Sequence, residues 1–194
     1  MTFNDLYKIL LSTKPSELIK QNEQDIFQLI PDLKKCKGFN QNSVWHPYDV
    51  YEHILHVIDN VESDLTLRLT ALFHDIGKPD TYTEDEKGGH FYNHWIVSQS
   101  IFNEYSEHYN IPDKKTISLL IYYHDYNVNK LIDSEVIKFL TKEEIIMLFK
   151  IKRADLLAQN SKYHYLLDEY DKIEKEILNI YEEDKSKYIN IPTK

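Results

Sequence analysis

Nine histidines stand at positions 46, 53, 56, 74, 90, 94, 108, 124 and 164 of this chain. A single histidine is more often a packing or surface residue than a ligand, so position decides which of them matter. His74 and Asp75 close the run LTLRLTALFHDIG, which is apolar nearly all round and reads as a buried helix. An imidazole and a carboxylate placed there are costly unless something compensates them. A bound divalent cation would do so. A hard aspartate oxygen together with neutral imidazole nitrogens suits Mn, Fe, Co, Ni, Zn or Mg.

Other residues of the same chemical types fall at comparable places. His53 borders the apolar stripe of Val50, Ile54, Val57, Ile58 and Val61. His94 opens a helical pattern, His124 ends one and is followed by Asp125, and Asp155 lies inside the well-packed run IKRADLLAQ. Five separate helices thus bring a ligand-type residue to a buried edge or an end, and helical proteins build metal sites between such helices. No zincin-like pair of histidines marks a local zinc motif: His90 and His94 stand four apart, but within HFYNH, which lacks the glutamate. His46, His56, His108 and His164 read as surface or packing residues.

The elements that must position these groups follow from periodicity and punctuation. Residues 4 to 34 read as two or three short helices ending in a turn at Pro31-Asp32-Leu33, with a loop over 35 to 46. A helix over 48 to 61 precedes the central one, which stops at Gly77-Lys78-Pro79. Residues 80 to 92 read as a small hairpin or ordered loop. Helices resume near His94 and run again from about Asp113 to Asp125. A short one is expected near Ser134 to Leu140. A long one begins at Thr141-Lys142-Glu143-Glu144, a capping-box pattern, and passes Asp155. A solvated helix completes the chain. The expected fold is all-α: one domain over 1–194, with N-terminal helices over 1–46, a site-bearing core over 47–160 and a C-terminal helix over 161–194.

Composition bounds the function. Of 194 residues, 42% are hydrophobic and 28% charged, which suits one globular domain. The formal charge of -9 argues against an extensive nucleic-acid surface. It leaves room for a small phosphorylated substrate, because a metal brings its own charge. No apolar run approaches the ~20 residues that cross a bilayer. The start MTFNDLYKILLSTKPS has no basic region followed by a long apolar stretch, so no signal peptide and a cytoplasmic location are expected. The single cysteine, Cys36, excludes an internal disulfide and a cysteine-based zinc site.

The order of His53, the doublet within ALFHDIGKP and a distant Asp155 resembles the HD superfamily of metal-dependent phosphohydrolases. The runs IPDLKKCKGFNQN, HPYDVYEHILHVID, LRLTALFHDIGKPDTY, HFYNH and KRADLLAQN resemble the HD portion of bacterial tRNA nucleotidyltransferases, the CCA-adding enzymes, over residues 25 to 165. These 194 residues hold no glycine-rich strand followed by a paired-Asp motif, so the resemblance carries over the hydrolase-type module and not nucleotide addition. It implies a helical bundle holding one or two divalent ions. His53, His74, Asp75 and Asp155 match the four-ligand site. His94 and His124 match the further histidines of dinuclear members, with Asp75 bridging. With a single ion, His94 and His124 would contact phosphate instead.

The chemistry so implied is attack on phosphorus by water that the ions have deprotonated. Asp75 and Lys78 are the expected catalytic groups. Lys78 is the best candidate to pair with a phosphate oxygen, and its alternative is a helix-end cation. His90 and Tyr92 on the hairpin are candidates to touch substrate. Arg153, two residues before Asp155, is a weaker one because that spacing turns it to another helix face. Gly77 is expected to permit a tight turn beneath the site. The favoured substrate is a nucleotide or RNA-end phosphoester: a monoester or a 2',3'-cyclic phosphate. The alternatives are a 5'-nucleotidase, a dinucleoside-polyphosphate hydrolase, or a non-catalytic module that binds nucleotide or RNA.

Overall fold

A computed structural model describes residues 1–132 and 136–183. Four short helices open the chain: α1 (Phe3–Leu10), α2 (Pro15–Gln21), α3 (Glu23–Leu29) and α4 (Pro31–Cys36). Pro31 occupies the first turn of α4. The expected turn at Pro31-Asp32-Leu33 is therefore a helix start, where a missing N–H is harmless and a fixed φ favourable. Then come α5 (Val50–Asn60) and α6 (Leu65–Phe73), capped by the carboxylates of Asp49 and Asp64. A single turn, α7 (Lys78–Thr81), leads into an antiparallel hairpin, β1 (Thr83–Asp85) with β2 (Gly88–His90). The rest is α8 (His94–Tyr109), α9 (Lys114–Tyr123), α10 (Val136–Phe139), α11 (Lys142–Leu157) and α12 (Leu167–Glu183), with short 3-10 helices at Val128–Lys130 and Ser161–Leu166. The fold is all-α, with the hairpin as the sole strand pair among the described residues. Ser134, the expected start of the short helix, lies outside the described residues, as does the chain beyond Glu183.

Two apolar clusters hold these elements together. The larger joins the N-terminal helices to α5, α6, α8 and α9 through buried residues such as Leu6, Ile54, Leu72, Phe73 and Phe102. The smaller gathers Leu120, Leu148, Phe149, Ile173 and Ile177 from α9, α11 and α12. Each buried Leu, Ile or Phe contributes roughly 1.5–3 kcal/mol. Helices α9 and α11 belong to both clusters: Ile117, Ile121, Ile151 and Ala154 face the larger one. They are also the helices that end at His124 and carry Asp155. The predicted capping box is present, with Thr141 accepting from the Glu144 N–H while the Glu144 carboxylate accepts from the Thr141 N–H. Helix α6 is buried along residues 66 to 73 as its composition requires. Even Arg68 is inside, donating to the carbonyls of Leu10, Val61 and Glu62.

Gly77 has a reason other than the expected one. Its φ is -83°, open to any residue, so no special turn is needed. A Cβ there would sit 2.6 Å from the Ser98 amide nitrogen and 2.9 Å from the His94 carbonyl oxygen. Glycine lets the segment after the doublet press on the first turns of α8, where its N–H donates to Ser98 Oγ at 2.9 Å. Asn93, in the left-handed conformation at φ 63°, turns the chain from the hairpin into α8. Together they bring His94 over Asp75.

Candidate metal centre

Six side chains converge where α5, α6, α8, α9 and α11 meet. His53 and His74 have no exposed surface, and Asp75, His94 and His124 are buried around them. Asp75 Oδ2 lies 3.3 Å from His53 Nε2 and 3.3 Å from His74 Nε2. Its other oxygen, Oδ1, lies 3.2 Å from His94 Nε2 and 3.5 Å from His124 Nε2. Asp155 Oδ1 completes the first group, 2.9 Å from His53 Nε2 and 4.0 Å from His74 Nε2. Two sets of donors spaced for a metal therefore share one carboxylate: His53, His74 and Asp75, and Asp75, His94 and His124.

The tautomers are set by the backbone. His74 Nδ1 donates to the Ala71 carbonyl at 2.8 Å, His94 Nδ1 to Phe91 at 2.8 Å and His124 Nδ1 to Ile121 at 2.7 Å. In each case the carbonyl is three residues earlier, at a helix end or in a turn. An imidazole whose Nδ1–H is so used turns the lone pair of Nε2 inward when neutral. His94 Nε2 and His124 Nε2 then face each other at 3.1 Å with Asp75 Oδ1 beside them. Three acceptors cannot sit this close unless a proton or a cation lies among them. The Nε2 atoms of His53 and His74 are likewise buried without a hydrogen bond of acceptable geometry. Ligands about 2.0–2.2 Å from one ion lie roughly 3–3.5 Å apart, which is the spacing found here. The donor set fits divalent metal.

Charges in the cluster hold one another in their ionised forms. Burial pushes Asp75 up, but His74 and Lys78 beside it, with the His124 and His53 imidazoles close to its oxygens, hold it well below the ordinary carboxylate range. Burial likewise opposes ionisation of Asp155, and the close contact and charge of His53 overcome it. Burial draws His53 down while Asp155 and Asp75 outweigh it, raising that imidazole to about 9. Burial lowers His124, against the pull of Asp75.

Of the expected substrate contacts, Lys78, His90 and Tyr92 line a cavity of about 280 Å³ on the hairpin side of the cluster. The Lys78 ammonium is 2.6 Å from Asp75 Oδ2 and 2.9 Å from Gln41 Oε1, and it lies over the Phe91 ring. Its first partner is thus the shared carboxylate, not open space. His90 stacks on Tyr92 at 5.3 Å and pairs with Asp85 across the hairpin at 2.9 Å. Arg153 departs from its expected place at the site. It pairs with Asp171 at 3.1 Å and Glu174 at 2.7 Å on α12, because a residue two before Asp155 leaves α11 on another side. Cys36 is buried against the Ile76 carbonyl, and burial pushes its thiol up, away from nucleophilic chemistry.

His46 belongs to the site, although by itself it reads as a packing residue. Its ring meets His53 edge-on at 5.1 Å, it borders the cavity, and its Nδ1 is buried without a partner. Burial, with Lys78 and His53 nearby, lowers it to about 2, so the imidazole is neutral. The legible signal was its place in HPYDVYEH, the run that also holds His53. Gln41, which holds Lys78, and Gln159, which donates to Asp155 Oδ2 at 3.3 Å, carry no signal of their own in the sequence.

Comparison with known proteins agrees with this geometry. Curated relatives include the A-adding tRNA nucleotidyltransferase of Deinococcus radiodurans, 29% identical over 104 residues, 49% of this chain and 24% of that protein. The Multifunctional CCA protein of Cupriavidus necator is 32% identical over 85 residues, 41% of this chain and 21% of that protein. The Multifunctional CCA protein of a Janthinobacterium species is 26% identical over 138 residues, 68% of this chain and 33% of that protein. The chain spans a third or less of the length of these relatives. Residues 44–180 match the model of the HD domain, a span that holds all six converging side chains. This chain belongs to the HD domain family.

Proposed function

We propose that this chain is a metal-dependent phosphohydrolase that cleaves a nucleotide or RNA-end phosphoester, either a monoester or a 2',3'-cyclic phosphate. One observation carries the reading: the buried Asp75 carboxylate turns Oδ2 to His53 and His74 and Oδ1 to His94 and His124. HD domains bind divalent metals, and these two groups could hold one ion each. Ions so held would acidify water towards neutral pH and offset charge on the phosphoryl oxygens. One relative is named an A-adding tRNA nucleotidyltransferase, and that name supports a nucleotide-like alcohol over a sugar or a lipid.

The residues of the chain divide the remaining work. The carbonyls of Ala71, Phe91 and Ile121 hold three imidazoles in the ligating tautomer. Lys78, fixed by Gln41, orients Asp75 and brings one positive charge to the phosphate cavity. His90, Tyr92 and Trp95 wall that cavity from the hairpin and α8 side. Hydrolysis joins the oxygen of water to phosphorus and breaks the phosphorus–oxygen bond to the alcohol. The electron pair leaves with the alcohol oxygen, which takes up a proton.

The test is to strip the purified chain with a chelator and reload it with Mn, Fe, Co, Ni, Mg or Zn in turn. Each form is assayed on nucleoside monophosphates, 2',3'-cyclic nucleotides and terminal RNA phosphates. Metal-dependent release of phosphate, or ring opening of the cyclic ester, is expected with at least one metal. No turnover of any ester with any metal would refute the reading.

A further inference from the structure

The cluster opens on two cavities. The second, of about 390 Å³, shares His46, His124, Asp125, Asp155 and Gln159 with the first. It then continues away from the hairpin, between the Trp45 loop, the turn after α9 and the start of α12. Its volume is within the range of small-molecule sites, ~300–1,000 Å³. The first cavity has the Lys78 charge. The second has a different chemistry.

Its walls are aromatic and acidic. Trp45 stacks face to face on Tyr163, with centroids 3.4 Å apart and planes 14° from parallel. The loop bearing Trp45 is pinned to the end of α11, because the Asn160 N–H donates to the Trp45 carbonyl at 2.9 Å. Tyr126 and Tyr170 add further ring surface, and Asn127 and Asn129 add amides. The carboxylates of Asp125 and Glu169 border the same space. Lys152 is the one lysine or arginine among its described lining residues. It is buried, and its ammonium donates to the carbonyls of His124 at 2.6 Å and Tyr126 at 2.5 Å. Two of its three donors therefore brace the turn after α9.

We infer that the second cavity seats the alcohol half of the substrate, an uncharged aromatic polyol of nucleoside type, and that its acidic lining selects monophosphates against polyphosphates. The inference takes the position of the phosphate from the phosphohydrolase reading; the seat for the nucleoside stands on the cavity itself. A flat base matches the ring faces, and the amides and carboxylates match base edges and ribose hydroxyls. A second phosphate in this space would meet Asp125 and Glu169, while Lys152, the one lysine or arginine among the described lining residues, is held on two backbone carbonyls. His46, with Nδ1 unpartnered, stands in the wall common to both cavities, where the ester oxygen joining phosphate to alcohol would lie.

The experiment measures binding of adenosine, AMP and ADP to the full chain by calorimetry, without metal and with Mn. Adenosine is expected to bind in both states and to quench tryptophan fluorescence, with Trp45→Phe reducing the quench. AMP is expected to bind the Mn form at least about tenfold more tightly than ADP. Trp45→Ala should weaken adenosine about tenfold, the scale of one base stacked on an aromatic ring. Glu169→Gln should narrow the AMP-to-ADP ratio severalfold with metal content unchanged. Absence of adenosine binding, equal affinity for AMP and ADP, or a ratio unmoved by Glu169→Gln would overturn the inference. Adenosine binding without turnover of any ester would leave the nucleoside seat standing and remove the hydrolase reading. Cleavage of glycerol phosphate without adenosine binding would do the reverse.

Discussion

Replacing Asp75 with alanine would separate the two candidate ion positions, because the structure divides their ligands unequally. Without Asp75 the first position keeps His53, His74 and Asp155, and the second keeps only the neutral imidazoles of His94 and His124. The second ion should be lost outright and the first retained at lower affinity. Turnover should fall by orders of magnitude. The same substitution strands Lys78, which is buried and has Asp75 as its charge partner at 2.6 Å. Leaving one member of a buried pair uncompensated costs about 3–5 kcal/mol, which lowers the Tm of a chain this size by on the order of 10 °C. The double variant Asp75→Ala, Lys78→Met removes the stranded charge. It should recover most of the stability and none of the second metal. Metal content after dialysis, Tm and phosphoesterase rate on both variants make the assay. Two ions retained by Asp75→Ala would refute the shared-carboxylate geometry. A double variant that regained metal would show that Asp75 acts only as the partner of Lys78.

Three further outcomes follow from the same coordinates. Gly77→Ala places a methyl group against the backbone of Ser98 and His94, so stability should drop by about 1–3 kcal/mol and the second ion should be lost as α8 shifts; an unchanged Tm with full metal would contradict this. Arg153→Ala should leave turnover unchanged and lower stability by no more than about 1 kcal/mol, since its partners are on α12; a large loss of turnover in kinetic assays would return Arg153 to the site. His53 is raised to about 9 in the metal-free protein, so metal binding at pH 7 should release a proton, and calorimetry in buffers of different ionisation enthalpy should show the release fading above pH 9. The sign also holds for stability: the charged His53 pairing is fully present below its unfolded value of about 6.5 and is lost as pH rises through about 9, so metal-free protein should lose this contribution over that interval while metal-loaded protein does not. No proton release at pH 7 would contradict the assignment.

Much of this protein was determined by local pattern. The 3.6-residue spacing of Val50, Ile54, Val57 and Ile58, the unbroken apolarity of α6 and the Thr141–Glu144 box each specify a helix from its own residues, because helix hydrogen bonds and caps are local. His74 and Asp75 stood out because two polar groups at the end of a buried helix demand compensation. His53, His94, His124 and Asp155 were legible as ligand-type residues at buried edges or helix ends, and the resemblance assigned them to one site. Tertiary structure decided what local pattern does not encode. The two-residue spacing already put Arg153 and Asp155 on different faces of one helix, but only the packing shows that Arg153 meets Asp171 and Glu174 of α12. Gly77 is required by the approach of α8, a segment distant in sequence, and not by its own φ. His46, Gln41 and Gln159 become part of the site only because loops fold back onto it. Lys78 turns to Asp75 rather than to open cavity, since a buried ammonium takes the nearest carboxylate. That Asp75 gives one oxygen to each histidine pair is a fact about four helices at once, and no single stretch of the sequence contains it.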